Sequence, residues 1–230
     1  MPPGRLSTAH RTSLRRRPRP GRSTALVSAA PEKDGRERIL VAAIRAFSEV
    51  GYTGTTTAGI ARAAGVTQPL VHHHFGSKEG LWRAAMDVLF SNVPRLVAPA
   101  AETSPPETVV AIVERFVRFV AAHPEVTRII AREGAAPSPR LDYLLKRYLH
   151  APFREVVDLV HAAQRAGVVA PDVRPELLLF LILGAGSHLF DVTALAQRSF
   201  GIDTTETATS EAFVLLMRTL LEHGLFRRSK

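Results

Sequence analysis

The residues from Gly51 to Leu81, GYTGTTTAGIARAAGVTQPLVHHHFGSKEGL, constrain the fold of this chain more than any other stretch. Two glycines, Gly65 and Gly76, interrupt a helical pattern inside it, as glycines at the carboxyl ends of helices do. Thr67 and Ser77 follow closely, and each can cap the helix that comes next. The stretch therefore predicts two short helices joined by a tight turn, with a further helix starting directly after them.

Two helices in this arrangement form a helix-turn-helix, in which the second helix offers its amino-terminal residues to base edges in the major groove. The small side chains of Ala61 and Ala64 allow the two helices to cross closely. Early positions of the second helix must donate hydrogen bonds or make apolar contacts with bases, and they hold Thr67, Gln68, Pro69 and Leu70. The sequence therefore predicts a helix-turn-helix over about residues 56–75.

Apolar residues recur at helical spacing on both sides of this unit. A preceding helix is predicted from Arg36 to Gly51, and a fourth helix begins after Ser77 and continues towards Val93. Proline at the start and glycine at the end mark most of the later helices. These helices are predicted over Pro105–Ala122, Pro124–Glu133, Ser138–His150, Pro152–Ala166, Arg174–Gln197 and Ser210–His223.

No stretch shows the alternating pattern of a β-strand, and we find no heptad array and no internal repeat. We therefore expect an all-α fold of about nine or ten helices. A three-helix DNA-binding bundle with a helix-turn-helix would occupy residues 32–93, and a larger effector-binding and dimerisation bundle would occupy residues 94–230. Residues 1–31 would form a basic arm without stable structure, because this segment has too few apolar residues to offset the entropy of ordering.

The net charge of +9 is concentrated at the amino terminus. Residues 1–35 hold eight basic and two acidic residues, which leaves only +3 for the other residues. The arm is open to three interpretations: a segment that tracks the minor groove of DNA, a solvated tail without a role, or a translated stretch upstream of the true start codon. The charge alone therefore indicates little about the folded part.

Several other classes of site are disfavoured. The chain has no cysteine, so it forms neither disulfides nor thiolate metal sites, as in a reducing cytoplasm. The three consecutive histidines His72–His74 suggest a metal, but adjacent helix positions are about 100° apart and cannot converge on one ion. The apolar run Leu177–Gly186 is shorter than the roughly 20 residues of a membrane span. We expect it to be a buried helix, and we expect no metal, no cofactor and no membrane partner.

A series of short motifs follows along the chain in this order: Arg-x-x-Ile-Leu-x-Ala-Ala, Phe, Gly-Tyr, Thr-Thr, Ile-Ala, Ala-Gly-Val and His-His-Phe-Gly-Ser-Lys-Glu-x-Leu. This series resembles the TetR family of transcriptional regulators. The resemblance covers about Arg36 to Val93. It implies that Gln68–His74 is the recognition helix, with Gln68 against a base edge and with Pro69 and Leu70 in apolar contacts. It also implies phosphate contacts by Thr57, Thr67, His73 and Lys78, and by His72, which stands where the family often has tyrosine.

For the second bundle, the resemblance implies an effector pocket and a dimer interface. Candidate pocket residues are Phe116, Phe119, Ile129, Arg132, Leu145, Tyr148, Val157, His161 and His188. Candidate interface residues on the two last long helices are Leu178, Leu181, Ile182, Leu189, Phe213, Leu216 and Leu220. Each pocket candidate is equally open to an interpretation as ordinary core.

The expected function is that of a cytoplasmic, homodimeric repressor that binds a palindromic operator in double-stranded DNA and is released by a small-molecule effector. A dimer suits such DNA, because two recognition helices must reach half-sites about 34–36 Å apart or a multiple of that distance. One alternative is a regulator of the same fold that activates transcription or needs no ligand. A remote alternative is an all-α enzyme, although no phosphate loop, paired acidic motif or cysteine nucleophile supports one.

Overall fold

The computed structural model describes residues 31–98 and 104–225, and within these ranges every regular element is a helix. Nearly all of the predicted basic arm, residues 1–31, lies outside the described residues. The helices are α1 (Pro31–Gly54), α2 (Thr57–Ala64), α3 (Gln68–Phe75), α4 (Lys78–Phe90), α5 (Val93–Leu96), α6 (Pro105–Ala122), α7 (Pro124–Glu133), α8 (Pro139–Leu144), α9 (His150–Arg165), α10 (Pro175–Asp191), α11 (Thr193–Phe200) and α12 (Thr207–Leu220). The all-α prediction is confirmed.

Helices α1 to α4 form the first bundle, whose core is built from apolar faces that the sequence pattern indicates. Its fully buried side chains include Ile39, Phe47, Ile60, Val71 and Trp82. The predicted stop at Gly51 corresponds to a kink, because this residue has φ +77° and ψ 174°, after which α1 resumes to Gly54. The helix also begins at Pro31, five residues before the predicted start.

Hydroxyl caps and left-handed glycines set the turns of this bundle. The Thr56 hydroxyl accepts a hydrogen bond from the Gly59 amide, and the Ser77 hydroxyl accepts one from the Gly80 amide, both at 3.0 Å. Gly65 ends α2 with φ +65°, a conformation that favours glycine. Thr67 occupies the capping position of α3, but its hydroxyl makes no capping hydrogen bond, which corrects the predicted role.

The second bundle packs α6 against α9, α10 and α12. Its core is rich in valine and includes Val113, Val117 and Phe190. Ion pairs join α6 to α12, with 2.7 Å between Arg118 and Glu211 and 2.5 Å between Arg218 and Glu114. The predicted helices Pro105–Ala122 and Pro124–Glu133 are confirmed as α6 and α7.

The predicted break between Ser138–His150 and Pro152–Ala166 is wrong. The chain stays helical from Pro139 to Arg165, because a π turn, Leu145–Leu149, links α8 directly to α9. Pro152 is the third residue of α9 and directly follows the π turn, where the hydrogen-bond pattern departs from that of an α-helix.

The prediction of one long helix over Arg174–Gln197 is also wrong. Helix α10 ends at Asp191, Val192 leaves helical geometry with φ −109° and ψ 39°, and α11 continues at an angle of 65° to α10. The predicted helix Ser210–His223 begins earlier, at Thr207, and ends in a second π turn, Leu221–Leu225. Within the described ranges, no single helix has the length and apolar composition to cross a bilayer, and only the bent pair of α10 and α11 together reaches that length.

Candidate nucleic-acid interface and cavity

Helix α3 presents an exposed surface at its amino-terminal end. Thr67, Gln68 and Pro69 are exposed, whereas Leu70 is half-buried and packs against the core of the first bundle. The Gln68 amide nitrogen lies 3.4 Å from the Thr57 hydroxyl oxygen, so two of the predicted DNA contacts are neighbours across the turn. The amide group of Gln68 has unused donor and acceptor capacity for a base edge.

The three histidines of α3 differ in their surroundings. His72 and His73 are exposed, and Nδ1 of His72 lies 3.3 Å from the Gly76 carbonyl oxygen. His74 is half-buried, and its Nε2 atom has no hydrogen-bond partner among the described residues. No group of three or more metal-ligating side chains occurs within residues 31–98 and 104–225. His72 and His73 are therefore accessible on the surface of α3.

Lys78, the predicted phosphate contact at the start of α4, lies over an aromatic ring. Its Nζ atom is 4.4 Å from the ring centroid of Tyr52, and the Arg140 guanidinium carbon is 4.3 Å from the same centroid. Such cation–π contacts contribute about 0.5–1 kcal/mol at exposed sites. Lys78 is thus held beside the end of α1.

A glycine fixes the corner between α3 and α4. A Cβ atom built on Gly80 would overlap the carbonyl oxygen of Phe75, the last residue of α3. No other residue type fits at this position without moving backbone. The two helices are therefore in direct backbone contact where the recognition helix meets α4.

Arg132, a predicted pocket residue, instead lies at the junction between the two bundles. Its Nε atom donates a hydrogen bond of 3.1 Å to the Ser48 carbonyl oxygen, and its Nη2 atom donates one of 2.5 Å to the Glu49 carbonyl oxygen. These carbonyls immediately precede the kink of α1 at Gly51, where the helix cannot satisfy them itself. Helix α7 is thereby attached to α1 of the first bundle.

A second attachment joins α4 to the π turn Leu145–Leu149 and to α8. The Asp87 carboxylate accepts hydrogen bonds from the Tyr143 hydroxyl at 2.8 Å, from Arg147 Nε at 3.1 Å and from the Tyr148 hydroxyl. Burial raises the pKa of Asp87, but these hydrogen bonds outweigh it and hold the pKa below its ordinary value. Burial and the neighbouring carboxylate raise the pKa of Tyr148. Trp82 of α4 also packs edge-on against Tyr143, which adds an aromatic contact between the two bundles.

The second bundle contains a partly open cavity of about 580 Å³. Its walls come from α5, α6, α7, the π turn, α9 and α10, and they are almost entirely aliphatic or aromatic. The polar side chains in the lining are Thr127, Ser187 and Asp191. This volume lies within the range of pockets that hold small organic molecules.

Of the nine predicted pocket residues, Phe116, Phe119 and Leu145 line this cavity. Ile129 and Tyr148 are buried in the core shared by the two bundles, and Arg132 lies at their junction. Val157, His161 and His188 lie outside the lining. The polar lining residues were missed, although one signal was available: Asp191 is an acidic residue at the end of the most apolar helix.

The predicted interface residues divide into two groups. Leu181, Leu216 and Leu220 are 66%, 51% and 58% exposed. Leu178 is buried, and Ile182, Leu189 and Phe213 pack against the core of their own chain. Other exposed apolar side chains extend the outer face of α10 and α12, namely Leu177, Phe180 and Leu215. The exposed apolar side chains of the predicted interface therefore lie on both α10 and α12.

Two family models match the chain. Residues 39–85 match the model described as bacterial regulatory proteins of the tetR family, and residues 105–220 match a tetracyclin repressor-like carboxy-terminal domain. The regulator RutR of Escherichia coli strain K12 is 29% identical over 160 residues, covering 68% of this chain and 74% of its own length. The regulatory protein RaaS of Mycobacterium tuberculosis is 30% identical over 154 residues, covering 66% of this chain and 68% of the length of RaaS.

Solved structures share the fold at lower identity. The ketosteroid regulator KstR2 of Mycobacterium tuberculosis superimposes with a TM-score of 0.62 at 23% identity, over 84% of this chain and 95% of that one. AibR in complex with isovaleryl coenzyme A and operator DNA superimposes with a TM-score of 0.60 at 21% identity, over 81% of this chain and 97% of the AibR chain. At these identities, the similarity indicates the arrangement of helices alone.

Proposed function

Because the chain belongs to the TetR family and is a DNA-binding transcriptional regulator, we propose that it is a homodimeric repressor which a small molecule releases from its operator. The observation that carries the proposal is the exposed amino-terminal turn of α3, inside a helix-turn-helix that matches the family model. The family consists of regulators and not of enzymes. A regulator of this kind acts where the chromosome lies, which makes the cytoplasm the proposed location.

In this proposal, α3 enters the major groove and Gln68 contacts a base edge, with Pro69 and Leu70 beside thymine methyl groups. Thr57, Thr67, His72, His73 and Lys78 contact phosphates, which position the protein without reading sequence. Exposure of Thr67, Gln68 and Pro69 supports these roles. The proposed domains are the predicted ones, a DNA-binding unit over 32–93 and an effector and dimer unit over 94–230.

The dimer is proposed to form through the outer faces of α10 and α12. Exposed apolar side chains of this size are costly in water, and pairing with a second copy removes them from it. A two-fold dimer also places two recognition helices for the two halves of a palindromic operator. The exposed members of the predicted set, Leu181, Leu216 and Leu220, would form the centre of that contact.

Two connections would carry an effector signal from the cavity to the first bundle. On α7, Thr127 and Ile130 face the cavity, and Arg132 holds the end of α1. On the π turn, Leu145 faces the cavity, and Tyr148 holds Asp87 of α4. An effector that binds one arrangement of these helices more tightly than the other shifts the dimer towards it, and so changes the distance between recognition helices.

The test is a titration of the purified protein against DNA from around its own gene, measured by fluorescence anisotropy at two salt concentrations. A specific site should bind far more tightly than random DNA, and log affinity should fall with log salt by roughly 0.9 per phosphate contact. Equal binding to all sequences would overturn the proposal. Repetition with candidate effectors then distinguishes a released repressor, which loses affinity, from a regulator that gains affinity or does not respond.

A further inference from the structure

The cavity walls carry a single ionisable side chain. Among the described residues that line the cavity, none is lysine, arginine or histidine, and Asp191 alone bears a charge. Thr127 and Ser187 are the other polar side chains. A buried anion needs a cation or several hydrogen-bond donors, because its desolvation is otherwise uncompensated. The side chains of this cavity supply no cation for an anionic ligand.

The polar groups lie together at one end of the cavity. Ser187 and Asp191 are four residues apart on α10 and therefore share one face of the helix. The Thr127 hydroxyl donates a hydrogen bond of 2.8 Å to Asp191 Oδ1, and Arg128 Nε lies 3.9 Å from the same oxygen. Ser187 is only 8% exposed. This end combines a carboxylate with a buried hydroxyl in a cavity that is otherwise apolar.

The Asp191 carboxylate has acceptor capacity left for a ligand. An ionised carboxylate has about four lone-pair sites, and Thr127 and Arg128 both approach Oδ1. Arg128 has a second contact, because its Nη2 atom donates a hydrogen bond of 3.2 Å to the Phe190 carbonyl oxygen. The guanidinium group is outside the cavity lining, so the ligand meets the carboxylate and not its counter-ion.

We propose that the effector is an amphiphile with an apolar body and one hydrogen-bond-donating end that is not anionic, such as an alcohol, a phenol or an amine. The inference rests on the proposed function, since it concerns the cavity assigned there to the effector. The donor end lies against Asp191 and Ser187, and the body fills the space between α6, α7 and α10. Carboxylates and phosphate-bearing molecules are disfavoured, because the cavity lining offers them no cation and the charge nearest to the ligand is the Asp191 carboxylate.

Three probes with the same ten-carbon chain test this inference, namely 1-decanol, decylammonium and decanoate. Their binding to the full-length protein is measured by isothermal titration calorimetry, with no DNA present. Decanol or decylammonium should bind at least about tenfold more tightly than decanoate, as expected for one like-charge contact near a half-buried group. Decanoate binding as tightly as the better of the other two would overturn the proposal, and so would the absence of binding by all three probes.

Variants locate the discrimination at the polar end. Asp191→Asn should bring the affinity for decanoate within about threefold of the affinity for decanol. Asp172→Asn makes an equal charge change at an exposed residue outside the cavity, and it should leave the difference between the two affinities unchanged. An unchanged gap in Asp191→Asn would overturn the assignment. If Asp191→Asn fails to fold, Ser187→Ala provides the second readout. This variant should bind decanol severalfold more weakly and should still prefer decanol to decanoate. Unchanged decanol affinity in Ser187→Ala would also contradict the proposed contact.

The outcome is separable from that of the proposed function. Operator binding without any probe is measured independently, and its failure would concern α3 and not the cavity. Specific operator binding combined with a preference for decanoate would retain the regulator and reject the ligand class.

Discussion

Arg132 of α7 donates a hydrogen bond of 3.1 Å from Nε to the carbonyl oxygen of Ser48 near the end of α1. The bond connects a helix whose other side lines the cavity to the helix on which the DNA-binding bundle is built. Arg132 therefore joins the two bundles through hydrogen bonds to the backbone of α1.

Replacing this residue should uncouple operator binding from the effector. Arg132→Ala should keep operator affinity within severalfold and reduce the effector-induced change in that affinity at least about tenfold, with a stability loss of about 1 kcal/mol. Anisotropy titrations with and without effector measure both quantities. Arg45→Ala is the control, because Arg45 forms only an exposed pair with Glu49 on the same helix. A full effector response in Arg132→Ala would remove α7 from the signal path.

Asp87 should contribute stability that depends on pH. Its pKa in the folded protein lies below the ordinary 3.8. The stabilising contribution of Asp87 is therefore fully present when the pH is well above the ordinary pKa. It is lost as the pH falls through the lower pKa of the folded protein. Asp87→Asn should be less stable than the wild type at neutral pH, by about 1 kcal/mol or less because the pair with Arg147 is solvent-screened. Urea unfolding at several pH values should show the difference in stability between the two proteins shrinking as pH falls below 3.8.

Gln68 and Lys78 should affect DNA binding in different ways. Gln68→Ala should relax the preference for one base pair, at a cost of about 1–3 kcal/mol on the preferred operator only. Lys78→Ala should weaken binding to all sequences alike. It should also reduce the slope of log affinity against log salt by about the value of one phosphate contact. Binding to a panel of single-base operator variants at two salt concentrations distinguishes these effects. A uniform loss with Gln68→Ala would place that residue on the phosphate backbone.

Two glycines on α10 form a matched pair. A Cβ on Gly186 would lie 2.9 Å from Phe116 Cε1, whereas a Cβ on Gly184 meets nothing within 4 Å. Gly186→Ala should destabilise the protein by about 1–3 kcal/mol through overpacking. Gly184→Ala should be neutral or stabilising by up to about 1 kcal/mol, because alanine favours the helix. Thermal unfolding measures both, and equal effects would mean that α10 does not pack against Phe116 in this way.

A charge on the outer face of α10 or α12 should dissociate the proposed dimer. Leu181→Glu and Leu216→Glu replace side chains that are 66% and 51% exposed, so the subunit should stay folded. Sedimentation should then show monomers, and operator affinity should fall at least about a hundredfold as one half-site contact is lost. Val50→Glu, at an equally exposed position on α1, is the control. A dimer that persists in both variants would place the interface elsewhere.

The sequence predicts local features of this fold well, because they depend on neighbouring residues. Ser77 caps α4 through a hydrogen bond within one turn, and proline marks the start of α6 and α7. The bend at Val192 was not predictable in the same way. No glycine or proline marks it, and the adjacent Asp191 is held by Thr127 from another helix.

The candidate site shows the same limit. The exposed turn of α3 follows from a local motif, whereas the cavity depends on which faces of distant helices meet. Apolar periodicity does not distinguish a residue that lines a cavity from one that fills a core, so Ile129 and Phe116 were indistinguishable. Arg132 and Asp87 act through partners more than fifty residues away, and spacing along the chain contains no signal for them.

The contact of Gly80 with the Phe75 carbonyl has a consequence for the kind of control that an effector can exert. Since α3 and α4 meet backbone to backbone, we expect the two helices to move together. A signal that arrives through α4 would then move α3 and α4 as one unit. The residues of α3 would keep the same mutual arrangement. Under the proposed function, an effector would then change how often the operator is occupied and would leave the selected sequence the same in both states.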